Sequence, residues 1–568
     1  MLKKTRPRWL ILAISMLSAL VLLLSACGGT PVQNNPGNGG TAVRGGTWID
    51  DLYEEPTSLI LNASVETYAV MVDQTIWSTL FYTDGKGMTH AGLAQDVPST
   101  SNGEISADLK TFTFKLRPNL VWSDGQPLNA DDVDFAWKLY NNPKFAAAST
   151  IGFNLIQSAD VSSDKLSITF HLKQPFVPFV SIWTDAVAGP MPAHVYSKIP
   201  VDQLLKSNES LHPSVASGPF MLSESVHGDH YTVVRNPKYY QAAQGYPYLD
   251  SIVFKISTNQ DTVLSDFQAG NVTSSWFLDV TKTPAYKALT NYHIASNPDS
   301  LNFEAIYFNL NNATLKDVNI RKAIAMAINQ PTLIANARFG NGSTLCTDHA
   351  AGYVPGYQPN APCPKYDPTA AGQILDQDGW AMGSNGYRAK GGKTLEFSYS
   401  TTANNAWRKA DSLILQSEFK AIGIKLDITY YPASTFFGTI LPNGKPGQYD
   451  IAEFENNWGA DPDDSSGFAC SAIPTAANSF GGGNFSFYCN HQLDQLFTQE
   501  QSVASPTQRQ QIFNQIHQIY LTDFPFVTLY GVVDLAVVKN NTHNYLPNPG
   551  GPSETGGAYM WWCDGGKC

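Results

Sequence analysis

The residues with chemical potential in this chain are carboxylates, histidines, cysteines and a few glycine-bounded loops. Two carboxylates can divide acid and base work when their surroundings drive their protonation apart. Adjacent pairs occur at Asp131-Asp132 and Asp463-Asp464. Such pairs more often open a helix or cap a loop, and Asp461-Pro462-Asp463-Asp464 reads by pattern as an acidic surface turn. The densest histidine cluster is His227-Gly228-Asp229-His230. Two imidazoles three apart can share a metal, but the polar, glycine-containing setting reads better as an exposed turn. A phosphate loop needs two glycines at fixed spacing before Lys-Ser/Thr. Gly392-Lys393-Thr394 supplies the end, and Tyr387 occupies the first glycine position. Gly551-Pro552-Ser553-Glu554-Thr555 lacks the last glycine of GxSxG, and no HExxH occurs. With no legible nucleophile–base pair, neither an enzyme nor a cofactor is expected.

Composition narrows the classes. The chain has 568 residues, 43% of them hydrophobic and only 15% charged, which excludes a disordered charged tail. Its length suggests about three or four domains. Lys+Arg 36 against Asp+Glu 48 gives a net charge of −12, so the basic footprint of a nucleic-acid binder is missing. Aromatic residues reach 12%, which supplies large rigid contact surfaces.

Lys3, Lys4, Arg6 and Arg8 precede an apolar run from Trp9 to Leu24, the pattern of a secretory signal. The run ends in Leu24-Ser25-Ala26-Cys27-Gly28, which resembles the bacterial lipobox, where cleavage leaves an acylated cysteine. Residues 1–26 are therefore expected to be a lipoprotein signal peptide and Cys27 the lipidation site. The anchor would sit in the outer face of the cytoplasmic membrane, with the body extracytoplasmic. An uncleaved transmembrane helix competes, but the run is short of the roughly 20 residues a span needs. Residues 27–44, rich in Gly, Pro, Asn and Gln, read as a flexible tether.

Six cysteines remain: Cys346, Cys363, Cys470, Cys489, Cys563 and Cys568. An even count outside the cytoplasm suggests disulfides, although six cysteines allow 15 pairings. They fall into three sequence-local couples, so Cys346–Cys363, Cys470–Cys489 and Cys563–Cys568 are expected. His349 and His491 lie near two of these cysteines, but without CxxC or a paired histidine motif no metal site is expected there.

Strands and helices alternate. Thr111 to Leu116, Leu166 to Leu172 and Ile252 to Ile256 show strand patterning. Asn129-Ala130-Asp131-Asp132 opens a helix with acid in its first turn, where the helix dipole favours it. Further helices are expected from Asp317 to Asn329, from Trp407 to Ala421 and from about Pro506 to Tyr520 with Ser505 as N-cap. A strand from Ile424 to Tyr430 follows the third of these four. The class is α/β.

One stretch, Leu116 to Val133 (LRPNLVWSDGQPLNADDV), strongly resembles the extracytoplasmic solute-binding proteins of the peptide/nickel class of ABC importers, family 5. Other segments resemble that family in its order: Gly45-Gly46-Thr47, Glu55-Pro56-Thr57-Ser58-Leu59, Ala91-Gly92-Leu93-Ala94, Ser217-Gly218-Pro219-Phe220, Arg235-Asn236-Pro237-Lys238-Tyr239-Tyr240 and Arg321-Lys322-Ala323-Ile324. Thr273 stands where the family usually has Asp. The resemblance runs from about residue 45 to the C-terminus. It implies a periplasmic-binding-protein-like fold (type II, cluster C), a three-lobed clam with a discontinuous domain I. Domain I would comprise 45–85, 212–300 and 535–568, domain II 86–211, and domain III 301–534. Domains I and III would close on ligand like a hinged clam.

The resemblance also implies a site. In oligopeptide-binding members a segment similar to Trp458-Gly459-Ala460-Asp461 lines the cleft. By that match Asp461 would pair with a peptide's ammonium, Trp458 would form an aromatic wall, and the backbone of Gly459 and Ala460 would bond the peptide main chain. Asn62, Ala63 and Ser64 fall where the family's N-terminal cleft strand lies. The expected function is a lipid-anchored receptor that binds peptides and delivers them to ABC permease subunits, acting as a monomer without catalysis. The alternatives are the same fold binding an oligosaccharide or a nickel complex, and a secreted hydrolase or chaperone.

Overall fold

The structure, a computed structural model, describes residues 41–568 apart from 65, 146, 185–187, 277, 404, 479 and 548–552. The expected signal peptide and the lipidation site Cys27 lie outside the described residues. Residues 42–568 form one compact unit. Among the described residues no helix is long and apolar enough to cross a membrane.

Short-range signals in the sequence set the first layer. Thr111–Lys115 and Ser167–Leu172 alternate buried and half-exposed side chains and pair antiparallel, with Phe112 opposite Phe170 and Phe114 opposite Ile168. Ile156–Val161 joins on the far side of Ser167–Leu172. The helix Ala130–Tyr140 begins in a capping box: Asn129 Oδ1 accepts from Asp131 N at 2.8 Å, and Asn129 N donates to Asp132 Oδ2 at 3.0 Å. Asp132 also accepts from Trp122 Nε1 at 3.3 Å and Ala193 N at 3.1 Å. The LRPNLVWSDGQPLNADDV stretch is thus a self-tied corner around a fully buried Trp122.

Two larger sheets carry the rest. In the seven-stranded sheet the order is Tyr292–Asn297, Asp534–Lys539, Ser274–Ser275, Thr47–Leu52, Ser251–Ile256, His230–Arg235 and Phe220–Val226. In the six-stranded sheet it is Gly342–Ser343, Phe526–Val532, Phe303–Phe308, Ile451–Asn456, Glu396–Thr402 and Lys425–Tyr431. The chain passes between the sheets at 298–302 and again at Val533. At these crossings Ser300 Oγ donates to Asp534 Oδ2 at 2.8 Å and Val532 N donates to Asn302 O at 2.9 Å.

The seven-stranded sheet shares one apolar core with the segment around the three-stranded sheet, uniting Trp48, Trp561 and Tyr231 with Phe114, Trp122 and Trp183. The six-stranded sheet has separate cores on its two faces. One is built on Ile324, Leu415 and Phe419, the other on Tyr307, Phe454 and Phe513. The helix Val318–Ala327 is capped by Asp317 and stops two residues before the expected Asn329. Asn329 instead caps the next helix, Gln330–Asn336, accepting from Thr332 N at 3.3 Å. The helices Ala406–Ala421 and Pro506–Asp523 form where their patterns predict, the second capped by Ser505. All three expected cysteine couples are disulfide-bonded.

Candidate functional site

The strand Ile451–Asn456 ends in the loop that carries Trp458, Gly459, Ala460 and Asp461. Gly459 has φ +80°, a left-handed backbone that lets the chain turn back directly after Trp458. Trp458 is half-buried. Its indole lies 5.9 Å from the Phe468 ring, and its Nε1 donates to Asp348 Oδ2 at 2.8 Å. A Cβ on Gly467 would come within 2.4 Å of that indole, so the glycine is what lets the tryptophan lie down. The indole is therefore a strut beneath the loop.

Asp461 is ion-paired. Its Oδ1 accepts from Arg509 Nη1 at 2.6 Å, and Arg509 Nη2 donates to Glu500 Oε1, also at 2.6 Å. Arg509 and Glu500 are buried, whereas about a quarter of the Asp461 side chain (24%) is open to solvent. Burial pushes Glu500 up to about 8 against the pull of Arg509. The guanidinium thus holds Asp461 in place from below and leaves part of the carboxylate facing outward.

The residue after the strand Thr47–Leu52 feels the end of the strand Ile451–Asn456. Burial, and then the charges of Glu54 and Glu455, raise the Tyr53 hydroxyl, which places Tyr53 near the last residues of Ile451–Asn456. Burial with the neighbouring Glu304 and Asp534 pushes Glu455 up to about 8. Elsewhere Val177 N donates to Gln501 O at 2.7 Å, and Asn341 Nδ2 to Thr283 Oγ1 at 3.3 Å. Two hydrogen bonds thus link the parts of the chain before and after the crossing at 298–302, and Glu455 lies buried near Glu304 and Asp534.

Asn62, Ala63 and Ser64 sit on a separate turn. Asn62 is fully buried at φ +60°. Its Nδ2 donates to Ser149 O at 2.8 Å and its Oδ1 accepts from Ser149 N at 3.0 Å. Ser64 Oγ accepts from Glu66 N at 3.0 Å. The Asn62 amide is committed to the neighbouring backbone. The structure thus groups Trp458 to Asp461 in one loop and Asn62 to Ser64 in another turn. The His227-Gly228-Asp229-His230 segment is a surface turn whose histidines meet Glu55, Glu224 and Asp229.

Sequence reasoning missed Arg509, Glu500, Tyr53 and Glu455. A signal for Arg509 existed. In the helix Pro506–Asp523 it falls on the stripe Arg509, Phe513, His517, Tyr520, at i, i+4, i+8, i+11, so a cation and an imidazole occupy core positions. It also missed a second cluster: the ligand atoms of Asp348, His349, Asp464 and His517 lie within 4.8 Å of one another, all in buried side chains.

The Trp458 loop thus belongs to a two-sheet α/β body whose sheets are joined by paired crossings. The family model of bacterial extracellular solute-binding proteins, family 5 (middle region) matches residues 90–479, more than half of the chain, and the chain belongs to that family. It is similar over nearly its whole length to the oligopeptide-binding protein AppA of Bacillus subtilis (strain 168), 23% identical over 559 residues, covering 96% of this chain and 97% of that protein. The solved structure of B. subtilis AppA in complex with a nonapeptide superposes with TM-score 0.77 at 22% identity, covering 92% of this chain and all (100%) of that one. NikZ from Campylobacter jejuni in complex with Ni(L-His) superposes with TM-score 0.79, also at 22% identity, covering 91% of this chain and 99% of that one. These likenesses establish the type II periplasmic-binding-protein-like fold.

Proposed function

We propose that this chain is a lipid-anchored, monomeric receptor that binds peptides in the cleft between its two large sheets and hands them to the permease of an ABC importer. The observation that carries this reading is the Trp458–Asp461 loop. It presents a carboxylate held by Arg509, about a quarter of its side chain (24%) open to solvent, two residues after a glycine turn. A peptide's ammonium is the one charged group shared by all sequences, and a fixed carboxylate reads it without reading side chains. Main-chain bonds from the loop would add affinity in the same sequence-independent way. Asp461 Oδ1 serves Arg509, and Oδ2 is the oxygen offered to the ammonium. The similarity to an oligopeptide-binding protein over the whole length supports the substrate class.

In this reading 45–85, 212–300 and 535–568 form one lobe, 301–534 the opposing lobe, and 86–211 a flank on the first. The crossings at 298–302 and Val533 are the hinge, and the contacts Val177–Gln501 and Asn341–Thr283 belong to the closed form. Closure then follows from contacts made only when ligand bridges both lobes.

The test is native mass spectrometry of the full chain in detergent, purified without added ligand, together with peptide titration of Asp461→Asn. A ladder of short peptides released on denaturation is expected. Loss of a charge partner in such a cleft should weaken binding by about 2–5 kcal/mol. A single sugar or nickel-complex adduct, or unchanged peptide affinity in Asp461→Asn, would overturn the peptide assignment and leave the receptor fold standing.

A further inference from the structure

Beneath the Trp458 loop lies a group of side chains that the receptor reading does not use. Asp348 and His349 come from the loop closed by Cys346–Cys363, Asp464 from the segment after Asp461, and His517 from the helix Pro506–Asp523. The four side chains are excluded from solvent, and their ligand atoms lie within 4.8 Å of one another.

We propose that Asp348, His349, Asp464 and His517 form a buried site for one divalent first-row transition ion, zinc being the best match, which ties the disulfide loop, the Trp458 loop and the helix Pro506–Asp523 together.

The hydrogen bonds around the cluster argue for a cation at its centre. His349 Nδ1 lies 2.7 Å from Pro355 O, which fixes a proton on that nitrogen and, in the neutral ring, leaves Nε2 as a lone pair. That lone pair faces Asp464 Oδ1 at 2.9 Å, a repulsive meeting unless positive charge lies between them or on the ring. His517 is fully buried, yet neither of its ring nitrogens makes a hydrogen bond. Its Nε2 is 3.2 Å from Asp348 Oδ1 and out of line for one. Two imidazoliums would line up on their carboxylates; here one ring does not.

Each carboxylate, moreover, has one oxygen held from outside and the other turned inward. Asp348 Oδ2 accepts from Trp458 Nε1 at 2.8 Å, and Asp464 Oδ2 accepts from Tyr520 Oη at 3.3 Å. A backbone carbonyl behind a histidine and donors behind the carboxylates are the outer supports that metal ligands use. The spacing fits as well. Donors around a tetrahedral zinc at about 2.0–2.1 Å stand roughly 3.3 Å apart, close to the 2.9 and 3.2 Å found here. Two neutral imidazoles and two carboxylates neutralise a dication, and an N/O set without thiolate suits zinc, nickel or cobalt over the harder alkaline earths. The neighbouring Cys346 and Cys363 are tied in a disulfide.

The experiment uses the full chain in detergent. Elemental analysis after gel filtration, with zinc supplied in the growth medium, should find about one equivalent of a divalent transition metal per chain. That content should drop at least tenfold in His349→Ala/His517→Ala and persist in His227→Ala/His230→Ala. Because the first variant removes buried groups, the wild-type chain is also stripped with a strong chelator and melted. Its Tm should fall by several degrees and return on addition of Zn2+ but not of Mg2+. A wild-type chain that holds no transition metal and whose Tm ignores Zn2+, Ni2+ and Co2+ would overturn the proposal. So would metal that follows His227 and His230.

Discussion

In the six-stranded sheet the fully buried Glu304 is clasped by Arg408, Nε to Oε1 at 3.0 Å and Nη2 to Oε2 at 3.3 Å. Glu453 and Asp411 stand beside it and accept from Tyr399 Oη at 2.7 Å and Tyr530 Oη at 2.5 Å. In the seven-stranded sheet Asp50 and Asp51 are just as deeply buried, but their supports are hydroxyls: Ser274 Oγ at 2.7 Å and Ser257 Oγ at 2.9 Å. Burial, opposed by these bonds, pushes Asp50 up to about 6 and Asp51 up to about 7. Burial and then the charge of Asp50 raise Glu554 further. The six-stranded sheet sets a guanidinium against Glu304, while burial raises Asp411 (to about 7) and Glu453 as it raises Asp50 and Asp51, so proton retention serves both sheets. The first solution fails when its cation is removed, the second when pH rises.

The largest effect should come from breaking the clasp. Arg408→Met leaves the buried Glu304 carboxyl without its partner cation, a change that costs about 3–5 kcal/mol. Urea unfolding of the variant should show a midpoint far below wild type. Equal midpoints would mean that the clasp adds nothing to the fold, making the two sheets alike.

The next effect sharpens the other half. Asp51 has a folded-state pKa of about 7, above the ordinary value of about 3.9. Below pH 4 both folded and unfolded states hold the proton, and the group costs nothing. Between pH 4 and 7 the unfolded chain releases it first, so stability falls as pH rises, by on the order of 2–4 kcal/mol in total. Asp51→Asn keeps the hydrogen-bonding shape and removes the titration. It should lose less stability than wild type between pH 5 and pH 8. Parallel pH profiles for the two chains would show that Asp51 is ionised throughout.

Neither arrangement was readable from the sequence, and the reason is distance along the chain. The caps at Asn129, Asp317 and Ser505 are legible because each is a contract between residues two or three apart. Thr111–Lys115 and Ser167–Leu172 are legible because alternation is local. The three disulfides follow from proximity in sequence. Asp50 meets Ser274 and Glu304 meets Arg408 only because the sheets bring strands from remote parts of the chain side by side. The candidate loop is a mixed case. Trp458 to Asp461 stood out as a segment, but Arg509, which holds Asp461, lies 48 residues on, and His517 reaches Asp348 across the whole six-stranded half. The signal that could have marked those two is a charged or titratable residue on the apolar stripe of a helix.

The smallest effect concerns two of the three disulfides, one taken from each side. Cys470–Cys489 spans 19 residues beside the six-stranded sheet, and Cys563–Cys568 spans only 5 at the edge of the seven-stranded one. Chain entropy assigns about 3 kcal/mol to the longer loop and about 2 kcal/mol to the shorter. The shorter loop is also held without its disulfide: Lys539 Nζ donates to Cys568 O at 2.9 Å, Asn541 Nδ2 to Lys567 O at 2.8 Å, and Asp564 N to Asn541 O at 2.9 Å. Cys470→Ala/Cys489→Ala should therefore lower the urea midpoint more than Cys563→Ala/Cys568→Ala, by a margin of about 1 kcal/mol in the derived stabilities. The opposite order would mean that the C-terminal loop closes the seven-stranded core itself, so that its disulfide protects the packing of Trp561 and Trp48 rather than a short length of chain.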